Sequence, residues 1–209
     1  MSAALHGGLV VAAHGRHCMV EAEDGRSGHW LNDDVAALRA AGTLAVPPQF
    51  DNPYALPDPV SPHIAARRAG ERIDLDHLES TFHALRQHAD AVVVEGAGGW
   101  RVPLNRKENL SDLAVGLGLP VILVVPIRLG CLNHAMLTAE AIECDGLPLA
   151  GWIANMVKSS YAPTEALIES LASALEAPLL GRLPWLERGG IEGGEASIST
   201  LATHLDVVG

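Results

Sequence analysis

The segment from Val92 to Trp100 places the strongest constraint on how this chain can fold. The β-branched residues Val92 to Val94 lead into Glu95, and three glycines follow within the next four positions. This pattern predicts a buried parallel strand that delivers an acidic side chain to the carboxyl edge of a sheet, where glycines let a charged ligand approach the backbone. A carboxylate in that place suits Mg²⁺. An ordinary surface carboxylate in a strand–helix turn accounts for the same residues equally well.

Apolar runs and amphipathic stretches alternate along the chain after residue 31. Continuous apolar runs predict further strands at 120–126, 149–154 and 179–183. Helical spacing and capping residues predict helices at 35–41, 61–70, from 75 onward, at 111–118, 131–144 and 163–175. Strands separated by helices form parallel sheets through right-handed crossovers. We therefore predict an α/β fold in a single domain over residues 1–209, with a three-layer parallel sheet and helices on both faces.

The charge balance argues against several classes of partner. The chain carries 25 acidic and 14 basic residues, for a formal net charge of −11. Nucleic acids and anionic membranes need a basic surface, so neither is expected as a partner. The three cysteines, Cys18, Cys131 and Cys144, show no C-x-x-C spacing that would suggest a zinc site. With no membrane-span run and no signal-peptide pattern, we expect a cytoplasmic protein.

Polar or helix-opening residues follow several of the predicted strands and begin one early helix. Asp34 is a candidate metal contact or a helix-capping carboxylate, and Asn155 is a candidate ligand contact or a loop residue that satisfies backbone groups. The segment Pro184–Leu186 lines a site or packs in the core. The helix that opens at Gly130–Asn133 has free N–H groups able to bind a carboxylate, which is a weak signal alone. Most of these features fall at one expected edge of one sheet.

The amino-terminal thirty residues do not follow this order. Leu9–Ala13 has the composition of a strand, whereas Glu21–His29 shows neither the helical nor the strand period. The phosphate-binding pattern G-x-x-x-x-G-K-[ST] does not occur anywhere in the 209 residues. We interpret this segment as an aberrant or truncated amino terminus.

Several segments together carry a family resemblance that covers roughly residues 31–187. The sequences VVVEGAGGWRVPL, LPVILVV, LGCLNHAMLTAEAI, LAGWIAN and APLLGRLPWL resemble the signature segments of dethiobiotin synthetase, and NPYALPDPVSPHIAAR resembles the region before that family's central helix. The resemblance implies a P-loop NTPase-like fold, a homodimer, and a role in biotin biosynthesis. It implies that ATP, Mg²⁺ and CO₂ close a ureido ring on 7,8-diaminononanoate. The implied route is a carbamate, its phosphorylation, and ring closure with loss of phosphate.

The resemblance also implies roles for particular residues of this chain. It assigns the metal to two carboxylates, Asp34 and Glu95, and the nucleotide phosphates to the turn formed by Glu95, Gly96, Ala97 and Gly98. It assigns the adenine base to Asn155, with walls made by Pro184, Trp185 and Leu186. It assigns the substrate carboxylate, across the dimer interface, to Gly130, Cys131, Leu132 and Asn133.

Departures from the family pattern lie mostly at the amino terminus. Met1–Gly7 resembles the helix that follows the family's phosphate loop, so the loop and first strand are expected before Met1, and the lysine-containing segment K-P-V-A-S-G is absent. We interpret this as a misplaced start with a compensated frameshift in the gene or its sequencing. No catalytic lysine can then be assigned. We expect a destabilised sheet lacking a central strand and impaired activity. Met156 stands where the family often has Asp.

Two other classes of function remain open at this point. One is a non-catalytic dimeric remnant that keeps the fold without turning over ATP. The other is a different P-loop relative, such as an amide-forming cobyrinate-type enzyme or a partition-type ATPase, although the segment LGCLNHAMLT disfavours it.

Overall fold

A computed structural model describes residues 8–11, 17–20, 29–96, 98–159 and 163–185, with side chains from residue 35 onward except Pro48. The strands are β1 (Gly8–Val11), β2 (His17–Val20), β3 (His29–Asn32), β4 (Val93–Gly96), β5 (Val121–Ile127), β6 (Leu149–Met156) and β7 (Leu179–Leu183). The helices are α1 (Asp33–Ala41), α2 (Pro48–Asp51), α3 (Pro62–Ala69), α4 (Leu75–Arg86), α5 (Leu110–Leu117), α6 (Cys131–Cys144) and α7 (Thr164–Ala174). Within these ranges, no helix has the length and apolar character needed to cross a membrane.

The described residues fall into two compact units, divided after residues 12 and 118. The prediction of a single domain over residues 1–209 stays a prediction. The first unit contains β1 and everything from β5 onward, and the second contains the elements from β2 to α5.

A parallel sheet organises the first unit, as the sequence predicts. β5 pairs with β1 on one side and with β6 on the other, and β7 pairs with the far side of β6, all in parallel. Ile127 lies opposite Met156, and Asn155 lies opposite Leu183. Because these strands run in the same direction, the carboxyl ends of β5, β6 and β7 lie along one edge of the sheet.

Helices α6 and α7 pack against this sheet and against each other. Their buried side chains meet those of the central strands in one apolar cluster. Trp152 from β6 and Leu171 from α7 are fully buried there, and Ile168 is nearly so. Burial of such large apolar side chains supplies most of the free energy that holds helices onto a sheet. The expected parallel sheet with packed helices is confirmed.

Strand β1 corrects one expectation about the amino terminus. The sequence led us to expect a sheet that lacks a central strand. Instead, Leu9, Val10 and Val11 pair with Val121, Ile122 and Leu123, respectively. A short β-branched run is enough to pair, because parallel pairing uses backbone groups rather than particular side chains.

The second unit begins with an antiparallel pair that the sequence analysis does not predict. His17 lies opposite Asn32 and Val20 opposite His29, so β2 and β3 pair over their whole length. Helix α1 follows β3 directly. Further along, α4 begins at an Asp74 cap, whose side chain accepts a hydrogen bond from the Asp76 N–H at 3.0 Å.

Strand β4 is less buried than predicted. The sequence predicts this strand over 91–94, but it starts at Val93, and the Val93 side chain is 62% exposed. Glu95 is also exposed, whereas Val94 is half-buried and Gly96 is buried. The prediction of a buried strand is therefore wrong at Val93 and Glu95. A run of β-branched residues favours a strand, but a run this short does not determine what covers each face.

Candidate functional site

The glycine turn after β4, in the second unit, lies next to the Glu95 carboxylate. Glu95 is the third residue of β4, and Gly96 ends the strand. A Cβ at Gly96 would lie 2.5 Å from Leu110 Cδ2, which leaves no room for a side chain unless that leucine moves. Gly98 has a φ of +88°, a conformation that L-residues other than glycine rarely adopt. The predicted glycine requirement therefore has a physical basis at both positions, while Ala97 lies outside the described residues.

A hydrogen-bonded loop fixes the residues that follow this turn. The Leu110 N–H donates to the Val102 carbonyl oxygen at 2.8 Å, and the Leu104 N–H donates to the Glu108 carbonyl oxygen at 2.9 Å. Trp100 and Leu104 are buried beneath the loop. The chain therefore leaves the glycine turn into a rigid segment, which limits how far the turn itself can move.

Asn105 organises this loop and was not singled out in the sequence analysis. Its Oδ1 accepts hydrogen bonds from the N–H groups of Lys107 at 2.9 Å and Glu108 at 3.1 Å. Its Nδ2 donates to the Ile73 carbonyl oxygen at 3.1 Å and also to the Glu108 carboxylate. Asparagine often bonds the backbone two residues onward in turns, so the asparagine between Leu104 and Arg106 was the available signal.

Helix α1 carries the predicted second carboxylate, Asp34, as its second residue, and that side chain falls outside those described. Later in α1, Arg39 forms a bidentate ion pair with Asp51 of α2, with Nε–Oδ2 and Nη2–Oδ1 distances of 2.6 and 2.7 Å. Hydrogen bonding to the Asp51 carboxylate raises the pKa of Arg39 above its ordinary value. This bidentate pair holds α1 to α2.

In the first unit, the predicted base-contacting residues lie together at the sheet's carboxyl edge. Asn155 is half-buried near the end of β6, directly beside Leu183 of β7. Pro184 and Trp185 continue from β7, and Trp185 is 43% exposed. Trp185 offers an exposed flat apolar face and Asn155 offers a hydrogen-bonding amide, at the carboxyl ends of neighbouring strands. Leu186 lies outside the described residues.

The opening of α6 matches its predicted position. Gly130 is the cap with a φ of +92°, and Cys131 is the first helical residue and is buried. Leu132 is half-buried and Asn133 is exposed. The N–H groups of a helix's first turn lack partners within the helix and attract anions, so a carboxylate role is compatible with this geometry.

The structure thus groups the predicted residues within each unit. Glu95, Gly96 and Gly98 share one turn, and Asn155, Pro184 and Trp185 share one edge. The expected convergence of all of them on a single ligand stays a prediction. Among the described side chains, no group of three or more His, Cys, Asp or Glu residues is arranged to hold a metal ion.

Comparisons with known proteins identify the class and then the family. Residues 19–190 match the AAA domain family, described as an "AAA domain", and together with the parallel sheet this makes the fold P-loop NTPase-like. The match begins at residue 19 rather than near residue 31. A MinC:MinD cell division protein complex of Aquifex aeolicus is 14% identical with a TM-score of 0.47, covering 88% of this chain and 70% of that one, a likeness too distant to inform function.

Much nearer relatives come from curated proteins. The ATP-dependent dethiobiotin synthetase BioD of Aromatoleum aromaticum is 51% identical over 160 residues, which cover 76% of this chain and 70% of the relative. The protein of the same name from Pseudomonas aeruginosa is 49% identical over 177 residues, which cover 84% of this chain and 75% of the relative. The chain therefore belongs to the dethiobiotin synthetase family, a family of ligases, as the sequence motifs indicated.

We predict that Gly98→Ala impairs nucleotide-dependent activity beyond its effect on stability. Its φ of +88° strains any L-residue, and the new Cβ would lie 3.2 Å from Val102 Cγ2. Gly118→Ala is the matched control, because Gly118 caps α5 in the same unit with a φ of +62°. Both variants should lose about 1–2 kcal/mol in urea unfolding. Nucleotide affinity, measured by calorimetry, should fall for Gly98→Ala alone, and an equal fall in both would contradict a binding role for the turn.

Proposed function

We propose that this chain catalyses the ATP- and Mg²⁺-dependent ring closure of 7,8-diaminononanoate with CO₂ to give dethiobiotin in biotin biosynthesis. The observation that carries this proposal is the 51% identity over 160 residues to a protein named for that activity. The cytoplasmic location expected from the sequence is part of the same proposal. Mechanistically, a substrate amine adds to CO₂, the carbamate oxygen takes the γ-phosphoryl group of ATP, and the second amine attacks the carbonyl carbon and expels phosphate.

The proposed magnesium site uses few protein ligands. Mg²⁺ typically binds one or two carboxylates and completes its octahedron with phosphate oxygens and water. Glu95 is an exposed carboxylate beside the glycine turn, and it suits such a site. Asp34, at the start of α1, is proposed as the second carboxylate. When bound, the metal offsets charge on the transferring phosphoryl group.

The glycine turn is proposed to bind the nucleotide phosphates through Gly96, Ala97 and Gly98. Backbone N–H groups at a glycine turn can approach phosphate oxygens closely, because no Cβ intervenes. At the other end of the ligand, Asn155 is proposed to contact the base, with Pro184, Trp185 and Leu186 as its walls. The half-burial of Asn155 and the exposed face of Trp185 support this assignment.

Turnover by these 209 residues is proposed to be slower than in relatives that carry a phosphate-loop lysine. The sequence contains two lysines, Lys107 and Lys158, and neither stands in a G-x-x-x-x-G-K-[ST] pattern. A lysine at the β- and γ-phosphates stabilises the charge that spreads during phosphoryl transfer, and its loss removes part of that stabilisation. The same feature favours a second candidate function, a non-catalytic dimeric remnant of the family.

A homodimer through the start of α6 is part of the proposal. Leu129, just before α6, is 85% exposed, and Met136 and Leu137 within α6 are 41% and 56% exposed. Large apolar side chains exposed together commonly mark protein–protein contacts. A substrate carboxylate bound at Gly130–Asn133 would then lie at the boundary between two copies.

We predict that Glu95→Gln lowers Mg²⁺-dependent dethiobiotin formation by about 100-fold or more, because a neutral amide binds Mg²⁺ poorly. The assay supplies ATP, Mg²⁺, bicarbonate and diaminononanoate and detects dethiobiotin by mass spectrometry. Glu169→Gln, at an exposed position of α7, is the control and should match the unmodified chain. Near-normal product from Glu95→Gln would contradict the metal role. No product from the unmodified chain, with its dimer intact, would contradict the enzyme and support the remnant.

The dimer is tested separately by Leu137→Glu. A charge placed on this apolar surface should shift the chain from dimer to monomer, because the acidic side chain would be desolvated in the contact. Analytical ultracentrifugation at micromolar concentration measures the oligomeric state. Ser173→Glu, at an exposed position of α7, is the control. A Leu137→Glu variant that sediments like the unmodified chain would contradict this interface.

A further inference from the structure

Two apolar residues, Val102 and Leu110, lie against the glycine turn after β4. Val102 Cγ2 is 3.2 Å from the position that a Cβ at Gly98 would take, and Leu110 Cδ2 is 2.5 Å from the corresponding position at Gly96. The Leu110 N–H donates to the Val102 carbonyl oxygen at 2.8 Å, which joins the two residues to each other. Whatever is attached to Val102 or Leu110 is therefore held beside the turn.

A charged side chain and a buried hydroxyl are attached at these two points. Arg101 directly precedes Val102, Ser111 directly follows Leu110, and Arg101 Nη1 donates to Ser111 Oγ at 3.1 Å. Ser111 is 1% exposed, Trp100 on the other side of Arg101 is 4% exposed, and Arg101 itself is exposed. The hydrogen bond to Ser111 uses one of the five N–H donors of a guanidinium. A permanent cation is thus anchored next to the turn and reaches solvent.

The other cations of this loop lie farther from the turn. Arg106 and Lys107 are exposed, and they lie beyond the hydrogen bond of 2.9 Å that the Leu104 N–H donates to the Glu108 carbonyl oxygen. The chain has a formal net charge of −11, so positive charge for a polyphosphate must be supplied locally. Of the three cations that follow the turn, Arg101 is the one at the base of the loop.

The carboxylates near this position have partners of their own. Asp112, which follows Ser111, accepts a hydrogen bond from the Asn109 N–H through Oδ2 at 2.7 Å and so caps α5. Glu95 is the proposed magnesium ligand. A metal-bound nucleotide presents both kinds of charge, because its cation attracts a carboxylate while its phosphate oxygens attract a guanidinium. Arg101 and Glu95 together therefore suit Mg²⁺-ATP better than either does alone.

We propose that Arg101 binds phosphate oxygens of the nucleotide and supplies part of the positive charge that a phosphate-loop lysine would provide. The planar guanidinium donates two parallel hydrogen bonds to a phosphate group, and Ser111 limits the orientations that the side chain can adopt. The proposal rests on the placement of the phosphates at the glycine turn in the proposed function. It adds a binding residue that carries charge to a turn whose other groups are backbone N–H groups.

Two substitutions that remove the same hydrogen bond from opposite sides test this role. Isothermal titration calorimetry measures the dissociation constant of ATP in the presence of Mg²⁺ for each variant of the 209-residue chain. Arg101→Leu should raise this constant about tenfold or more, because it removes charge-assisted hydrogen bonds to phosphate. Ser111→Ala removes only the anchor and should raise it less than about threefold. Arg106→Leu is the control and should match the unmodified chain.

A lysine substitution separates charge from side-chain packing. Arg101→Lys keeps the positive charge without the planar fork, so it should bind Mg²⁺-ATP more tightly than Arg101→Leu and less tightly than the unmodified chain. Equal affinities of the lysine and leucine variants would overturn the proposal, and so would equal losses in Arg101→Leu and Ser111→Ala, since a purely structural pair behaves in that way.

The remaining outcomes also decide between the two proposals. An Arg101→Leu variant that binds Mg²⁺-ATP as tightly as the unmodified chain would overturn the role of Arg101 while the chain still made dethiobiotin. No detectable binding of Mg²⁺-ATP to the unmodified chain would overturn it as well. If the proposed function alone fails, Arg101→Leu would still weaken nucleotide binding, but no dethiobiotin would form when the remaining substrates are supplied.

Discussion

The parallel pairing of β5, β6 and β7 is the constraint on which the rest of the first unit depends. Backbone hydrogen bonds set the register, and burial of Trp152 and Leu171 beneath α6 and α7 fixes the sheet against its helices. Slippage by one residue would exchange the two faces of a strand, bringing Asn155 into the core and Met156 out of it. The position of Asn155 at the sheet's carboxyl edge is thus a consequence of how the core is packed.

In the second unit, backbone conformation matters more than side-chain packing. The turn after β4 requires glycine at two positions, because Gly96 lies close to the Leu110 side chain and Gly98 has a positive φ. The loop that follows is fixed by its own hydrogen bonds, many of them made by Asn105. A flexible turn would lose conformational entropy on binding a ligand, whereas a turn leading into a fixed loop has lost much of it already.

Local sequence patterns predicted several elements of the fold well. The bounds of α6 and β7 agree with prediction to the residue, since caps, helical spacing and a short apolar run bounded by turn residues are all local signals. The pairing of β2 with β3 was not predicted, because the residues of a strand do not determine which other strand it pairs with. For the same reason, the sequence indicated that β1 is a strand but did not predict that it pairs with β5.

The candidate site was predictable only in part. Asn155 and Trp185 were singled out because apolar runs predicted strands directly before them, and the structure places both at one edge of the sheet. Their role at that edge stays a proposal. The exposure of Val93 could not be predicted, because it depends on what covers β4. Family membership, shown by relatives about half identical, supports ATP-dependent ligation more firmly than any single motif does.

Hydrogen–deuterium exchange of the unmodified chain, with and without Mg²⁺-ATP, tests the central claim most directly. If the glycine turn binds nucleotide phosphates, Mg²⁺-ATP should slow exchange of backbone amides at Gly96–Gly99. If the ends of β6 and β7 bind the base, it should also slow exchange at Asn155 and Trp185. Protection of one of these segments while the other exchanges as before would contradict the account, as would no protection of either.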